Sequence, residues 1–196
     1  MANIEPLDRS ELAEFEEGFQ VIEAVMGFVP RSLLTMGRNP ELLRAFSQLS
    51  FTVLGPGAID GGLKQLVAHV ASTAAGCQYC QAHTASSAAR GGVDAEKVAA
   101  VWHFEADDRF DDAERAALRL ARDAAGMPNA TSPSHFEALA EHFTDDEVVE
   151  LVAVISLFGW LNRWNDTMAT ELEDEANDFA HQHLSQRGWT PGKHVR

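Results

Sequence analysis

The chain has 196 residues, 45% of them apolar, with two cysteines and a formal net charge of −15. That size suits one domain able to bury a core without disulfide staples, and a secreted disulfide scaffold would hold more cysteines. The acidic balance argues against nucleic acid and anionic membranes, whose phosphates it would repel. No apolar run approaches the roughly twenty residues of a membrane-spanning helix, and "MANIEPLDRSELAEFEEGFQ" contains no apolar signal region. A cytoplasmic protein without a membrane partner is expected.

Helix signals dominate in chain order. Ser10 can cap "ELAEFEEGFQVIEAVMG", which Gly27 stops, and Pro30 opens a short helix in "VPRSLLTMGRN". In "NPELLRAFSQLSFTVLG", Asn39 caps, Pro40 takes the first turn, and Leu42, Leu43, Phe46, Leu49 and Val53 form an inward stripe that Gly55 ends. "LKQLVAHVASTAA" follows, with Leu63, Leu66, Val67 and Val70 inward. Gly76 interrupts it, and "CQYCQAHTASSAARGG" reads as a fresh helix closed by Gly91 and Gly92. Asp94 caps "AEKVAAVWHF", and "DAERAALRLARDAAG" is amphipathic. Ser134 opens "HFEALAEHF", and Thr144 caps "DDEVVELVAVISLFGWLNRWNDTMATELEDEANDFAHQHL", with a break near Gly159. The tail "SQRGWTPGKHVR" reads as irregular. Period-two alternation and hairpin turn chemistry are absent, so the fold class is all-α, with roughly eight to ten helices in a single domain over residues 1–196.

The chain also echoes itself. Shifted by 85 residues, "QLVAHVASTAAGCQYC" lies over "ELVAVISLFGWLNRWN", with Asn162 and Asn165 beneath Cys77 and Cys80. Two related helical halves, one carrying chemistry, would produce this pattern. Coincidence between two apolar helices would produce it equally well.

The chemistry centres on "AAGCQYCQAHT". Covalent haem attachment needs histidine directly after the second cysteine, where Gln81 stands. Structural zinc needs four ligands; Cys77, Cys80 and His83 supply three, and no second pair exists. No metal or cofactor is therefore expected. A redox pair fits better. Cysteines at i and i+3 share a helix face, and a helix start favours a thiolate through its free N–H groups and dipole. Such a start places the first cysteine deeper and the second nearer the mouth. At about 100° per residue, His83 and Thr84 flank Cys80, and His83 is the best local base. His69, on the preceding helix, is a candidate relay member. His103, His135, His142, His181, His183 and His194 lack motif context and read as surface residues.

Here the chain resembles the alkylhydroperoxidase D-like, or carboxymuconolactone decarboxylase-like, proteins, in their peroxidase-related branch. The resemblance runs through "VPRSLLTMGRNPELLRAFSQL", "LKQLVAHVASTAAGCQYCQAHT" and "FTDDEVVELVAVISLFGWLNRWND". It implies a helical bundle that assembles into trimers or hexamers and reduces organic hydroperoxides at the expense of a dithiol electron donor. It also implies that Cys80 attacks and Cys77 resolves. The family's relay has a glutamate twelve residues before the first cysteine and a histidine four after the second. This sequence has Gln65 and Thr84 at those places, with His83 one residue earlier, so Gln65, His69 and Thr84 are the supporting candidates. No Arg–His set suited to a lactone acid stands near the motif. Arg90 and Arg163 are the nearest arginines, and Arg163 reads as a buried or interface partner of an acid. Hydroperoxide reduction is the leading expectation. A disulfide reductase or electron-transfer adaptor, and a non-catalytic oligomer or redox sensor, are the alternatives.

Overall fold

A computed structural model describes residues 2–195. Among them the regular structure is helical: α1 (Glu16–Met26), α2 (Arg31–Met36), α3 (Pro40–Leu54), α4 (Gly61–Ala74), α5 (Gln78–Arg90), α6 (Ala95–Ala100), α7 (Asp112–Ala125), α8 (Pro133–Ala140), α9 (Asp145–Met168) and α10 (Asp174–His183). Short 3₁₀ turns at Arg9–Phe15, Val101–His103, Ser185–Arg187 and Gly192–His194 complete the chain.

Side chains written into the sequence set most of the boundaries. Asn39 accepts from Leu42 N at 3.2 Å with Pro40 in the first turn, and Asp60 accepts from Gly62 N and Leu63 N at the head of α4. Thr144 and Glu147 form a reciprocal capping box on α9. Two starts differ from expectation. Asp8, not Ser10, forms the capping box of the first 3₁₀ turn, with Glu11. Ser132, with Pro133 at N1, precedes α8 in place of Ser134. Helix α9 also runs unbroken through Gly159, because the residues around it keep their i−4 hydrogen bonds in a well-packed helix.

Helices α4 and α5 occupy the centre, against α7, α9 and α10. Leu66, Val67, Val70, Leu118, Leu120, Leu151, Val154 and Phe158 fill that core. A second cluster of Leu12, Phe19, Leu33, Met36, Leu43, Phe46 and Leu157 joins the N-terminal segment to α3 and α9. Leu49, expected inward, is exposed, because the stripe of α3 that meets α9 runs through Leu43 and Phe46. Lys64 is buried within α4; its Nζ donates to the carbonyls of Val53 (3.1 Å) and Gly55 (2.9 Å) and meets Glu150 at 3.1 Å. The ammonium thereby satisfies carbonyls at the C-terminal end of α3 that have no intrahelical donor. No helix of the described residues is long and apolar enough to cross a membrane.

Candidate functional site

The break between α4 and α5 builds the site. Gly76 adopts φ +76°, a left-handed conformation that side-chain-bearing residues rarely hold, and lets the chain leave α4 and start again within three residues. Cys77 becomes the N-cap of α5, with its own N–H on the Ser72 carbonyl at 3.1 Å. Its Sγ accepts the Cys80 backbone N–H at 3.5 Å, the role a serine or aspartate oxygen plays at other helix starts. Both cysteines are unpaired thiols. They are equally enclosed, at 1% and 2% exposure, so the expected gradient from deep first cysteine to shallow second is absent.

The two thiols differ in electrostatics instead. The Cys80 thiol and the backbone N–H groups of Cys80 and Tyr79 hold the Cys77 thiol below its ordinary value, against opposition from burial and from Asp166. Burial, followed by the neighbouring Cys77 sulfur and Asp166, pushes the Cys80 thiol well up. The arrangement favours the anion on Cys77 over Cys80. Asn165 Nδ2 donates to Cys80 Sγ at 3.4 Å, while its Oδ1 accepts from Thr170 Oγ1 at 2.9 Å. Held at both ends, the amide has one orientation to offer the sulfur. Residues 80 and 165 are the pair that the 85-residue echo superposes.

The next turn of α5 carries a second network. His83 directs Nε2 to Glu173, not to either sulfur. Glu173 also accepts the Tyr79 hydroxyl at 3.0 Å and the Arg31 backbone N–H. The Tyr79 and His83 rings stack with centroids 4.0 Å apart. Burial alone would raise the Glu173 carboxyl, yet the His83 charge and hydrogen bonds from His83 and Arg31 together hold it below the ordinary value. Tyr79 is pushed well up by burial and by Glu173, and stays a neutral donor.

The supporting residues separate into distinct environments. His69 is buried on α4, with Nδ1 2.9 Å from Thr84 Oγ1, and burial lowers its pKa to about 4. It is a neutral packing partner at pH 7. Thr84 Oγ1 also lies 2.7 Å from the Cys80 carbonyl, so this pair braces the backbone behind the cysteine. Gln65 is half-buried on α4 and makes no hydrogen bond to the motif. Arg163 is exposed on the single chain, which corrects the buried half of the expectation of a buried or interface partner, and Arg90 donates to the Val25 carbonyl.

Two features had no reading in the sequence. Glu173 stands 90 residues beyond His83 in "TELEDEAND", a stretch in which nothing local sets it apart from the neighbouring acids. The C-terminal tail covers the motif: Trp189 Nε1 donates to the Gln78 carbonyl at 3.1 Å, and Lys193 pairs with Asp166 at 2.9 Å. His194, expected at the surface, is 1% exposed, with Nδ1 on the Thr170 carbonyl at 2.7 Å. Among the described residues, no group of three or more histidine, cysteine or acidic side chains is placed to hold a metal.

The chain has relatives among known proteins. A family model for the carboxymuconolactone decarboxylase family matches residues 40–123. The debrominase Bmp8 in its apo form is 35% identical, covering 92% of this chain and 97% of that one at a TM-score of 0.87. The chain belongs to the carboxymuconolactone decarboxylase family. A cysteine-to-alanine variant of Bmp8 in complex with 2,3,4-tribromopyrrole matches at 34% identity, with 92% and 96% coverage and the same TM-score. The alkylhydroperoxidase AhpD core of a peroxidase-related protein from Ralstonia eutropha JMP134 matches at 22% identity, 91% and 95% coverage and a TM-score of 0.76, which establishes the shared AhpD-like fold. No curated protein matches the chain.

Proposed function

We propose that this protein is a dithiol-dependent reductase that removes an electrophilic atom from a small apolar substrate, with an organic hydroperoxide as the leading substrate class. The observation that carries the reading is the N-cap position of Cys77: backbone N–H groups and the Cys80 thiol stabilise a sulfur anion inside an apolar enclosure. The Cys77 thiolate attacks the terminal peroxide oxygen, the O–O bond breaks, and the alkoxide takes the Cys80 proton to leave as an alcohol. The Cys80 thiolate then attacks the Cys77 sulfenic acid. A disulfide forms, and hydroxide leaves as water with one proton from solvent. An external dithiol returns two electrons and two protons. This order reverses the one implied by the family resemblance, because Cys77 stands at the N-cap of α5 with the Cys80 N–H on its sulfur, which favours the anion there. His83, Tyr79 and Glu173 fix the second turn of α5, and His69 and Thr84 support it from behind.

A second substrate class is favoured by the likeness to a debrominase. In reductive dehalogenation the same thiolate takes a halogen from carbon, the carbon takes a proton, and Cys80 displaces halide to give the same disulfide. Exposed Leu49, Phe51, Val152 and Trp160 on the adjoining α3 and α9 support assembly into a homo-oligomer, measurable by light scattering.

The test is intact-mass analysis of reduced protein after one equivalent of cumene hydroperoxide or of a bromophenol. Loss of two mass units in the wild type supports the dithiol cycle. A species 16 mass units heavier in Cys80→Ser places peroxide attack on Cys77, and the same species in Cys77→Ser restores the family order. No mass change with either reagent would falsify the reductase reading.

A further inference from the structure

Asn162 lies on α9 one turn before Asn165, on the helix face that packs against α4 and α5. It is 4% exposed, and both Nδ2 and Oδ1 are buried with no hydrogen-bond partner. An unpaired buried amide opposes folding, and native interiors rarely tolerate one without a reason. The contrast with Asn165 is sharp. That amide, three residues on, uses its nitrogen on Cys80 and its oxygen on Thr170. Asn162 occupies in α9 the position that Cys77 occupies in α5 under the 85-residue echo. Ser72, whose carbonyl holds the Cys77 N–H, also has a fully buried hydroxyl with no partner. Donors and acceptors in surplus therefore lie on both helices that flank the thiol pair.

We propose that Asn162 is the substrate-orienting residue of this site, hydrogen-bonding an O–H or N–H group that lies next to the atom the thiolate removes. This rests on the dithiol reading above. Its two substrate classes share that chemistry: a hydroperoxide carries O–H on the reducible oxygen, and a halophenol or haloazole carries O–H or N–H beside the halogenated carbon. The carboxamide oxygen accepts that hydrogen, and the amide N–H₂ is left to meet the oxygen or the halogen edge.

Binding is measured in the Cys77→Ser protein, so that no turnover is needed. The probes are 2,4,6-tribromophenol against its methyl ether, and cumene hydroperoxide against its methyl peroxide. At least one hydroxyl-bearing probe is expected to bind about tenfold or more tightly than its methylated form. Asn162→Leu should abolish that preference while leaving the iodoacetamide reactivity of Cys77 in the otherwise native protein and the melting temperature unchanged or, for the latter, raised. A preference that survives Asn162→Leu, or equal binding of both members of each pair, overturns the proposal. So does the absence of binding by any probe. The first outcome leaves the reductase intact. Preferential binding without any mass change in the thiol assay would instead retain Asn162 as a ligand group and discard the reductase. If Asn162→Leu fails to fold, Asn162→Asp serves. Its carboxylate keeps the acceptor but repels the phenolate, so the preference should fall as pH rises through the phenol's pKa.

Discussion

Replacing Glu173 tests whether one buried carboxylate organises the second turn of α5. Three donors converge on it: the Arg31 N–H, the Tyr79 hydroxyl and His83 Nε2. All of this happens out of water, with Glu173 6%, Tyr79 2% and His83 7% exposed. Glu173→Ala strands all three donors, and removing one side of such a buried pair typically destabilises by about 3–5 kcal/mol. Glu173→Gln keeps an oxygen for Arg31 and Tyr79 and loses only the charge facing His83, so about 1–2 kcal/mol is expected. In urea unfolding at pH 7, with a slope near 2 kcal/mol per molar, the midpoint should fall by about 1.5–2.5 M for Ala and by under about 1 M for Gln. The sign of the pH effect follows from the lowered carboxyl. Its stabilisation is fully present above the ordinary value of 4.5 and is lost as pH falls through the lower folded value, so Glu173→Gln should flatten that part of the acid limb. Midpoints of both variants within about 0.3 M of the wild type would refute the network.

Three further outcomes follow from the same geometry. His69, neutral and buried with a pKa of about 4 against an ordinary 6.5, makes the folded state lose about 3 kcal/mol as pH falls between those values. Unfolding of His69→Phe across that range should lack this loss, and an unchanged slope would show that His69 is not its source. Iodoacetamide at pH 7 should modify Cys77 in Cys80→Ser at least about tenfold faster than Cys80 in Cys77→Ser, because only the first sits at a helix start with a neighbouring hydroxyl donor; equal rates by mass spectrometry would remove the asymmetry. Trp189→Ala frees the Gln78 carbonyl from the tail and should speed modification by bulky maleimides more than by iodoacetamide. Equal acceleration would mean general loosening in place of an opened cover.

The helical class, most caps and the α4–Gly76–α5 break were legible because each depends on a few neighbouring residues. Asn39 with Pro40, Thr144 with Glu147, and a glycine at positive φ before Cys77 act within a turn or two of themselves. The cysteine pair was legible for the same reason. Its spacing places both sulfurs on one face, and the helix start supplies the N–H groups. Which sulfur carries the charge, and what surrounds it, required the tertiary structure. Glu173, Asn165 and the tail reach the motif from 90, 85 and 111 residues away, as His83···Glu173, Asn165→Cys80 and Trp189→Gln78 contacts. The 85-residue echo marked Asn165 but gave it no role, and nothing local separated Glu173 from the acids around it. Hydrogen bonding and desolvation depend on distance in space. The sequence by itself therefore determined where the thiols start a helix, and only the packing of α9, α10 and the tail over α5 decided their protonation and enclosure.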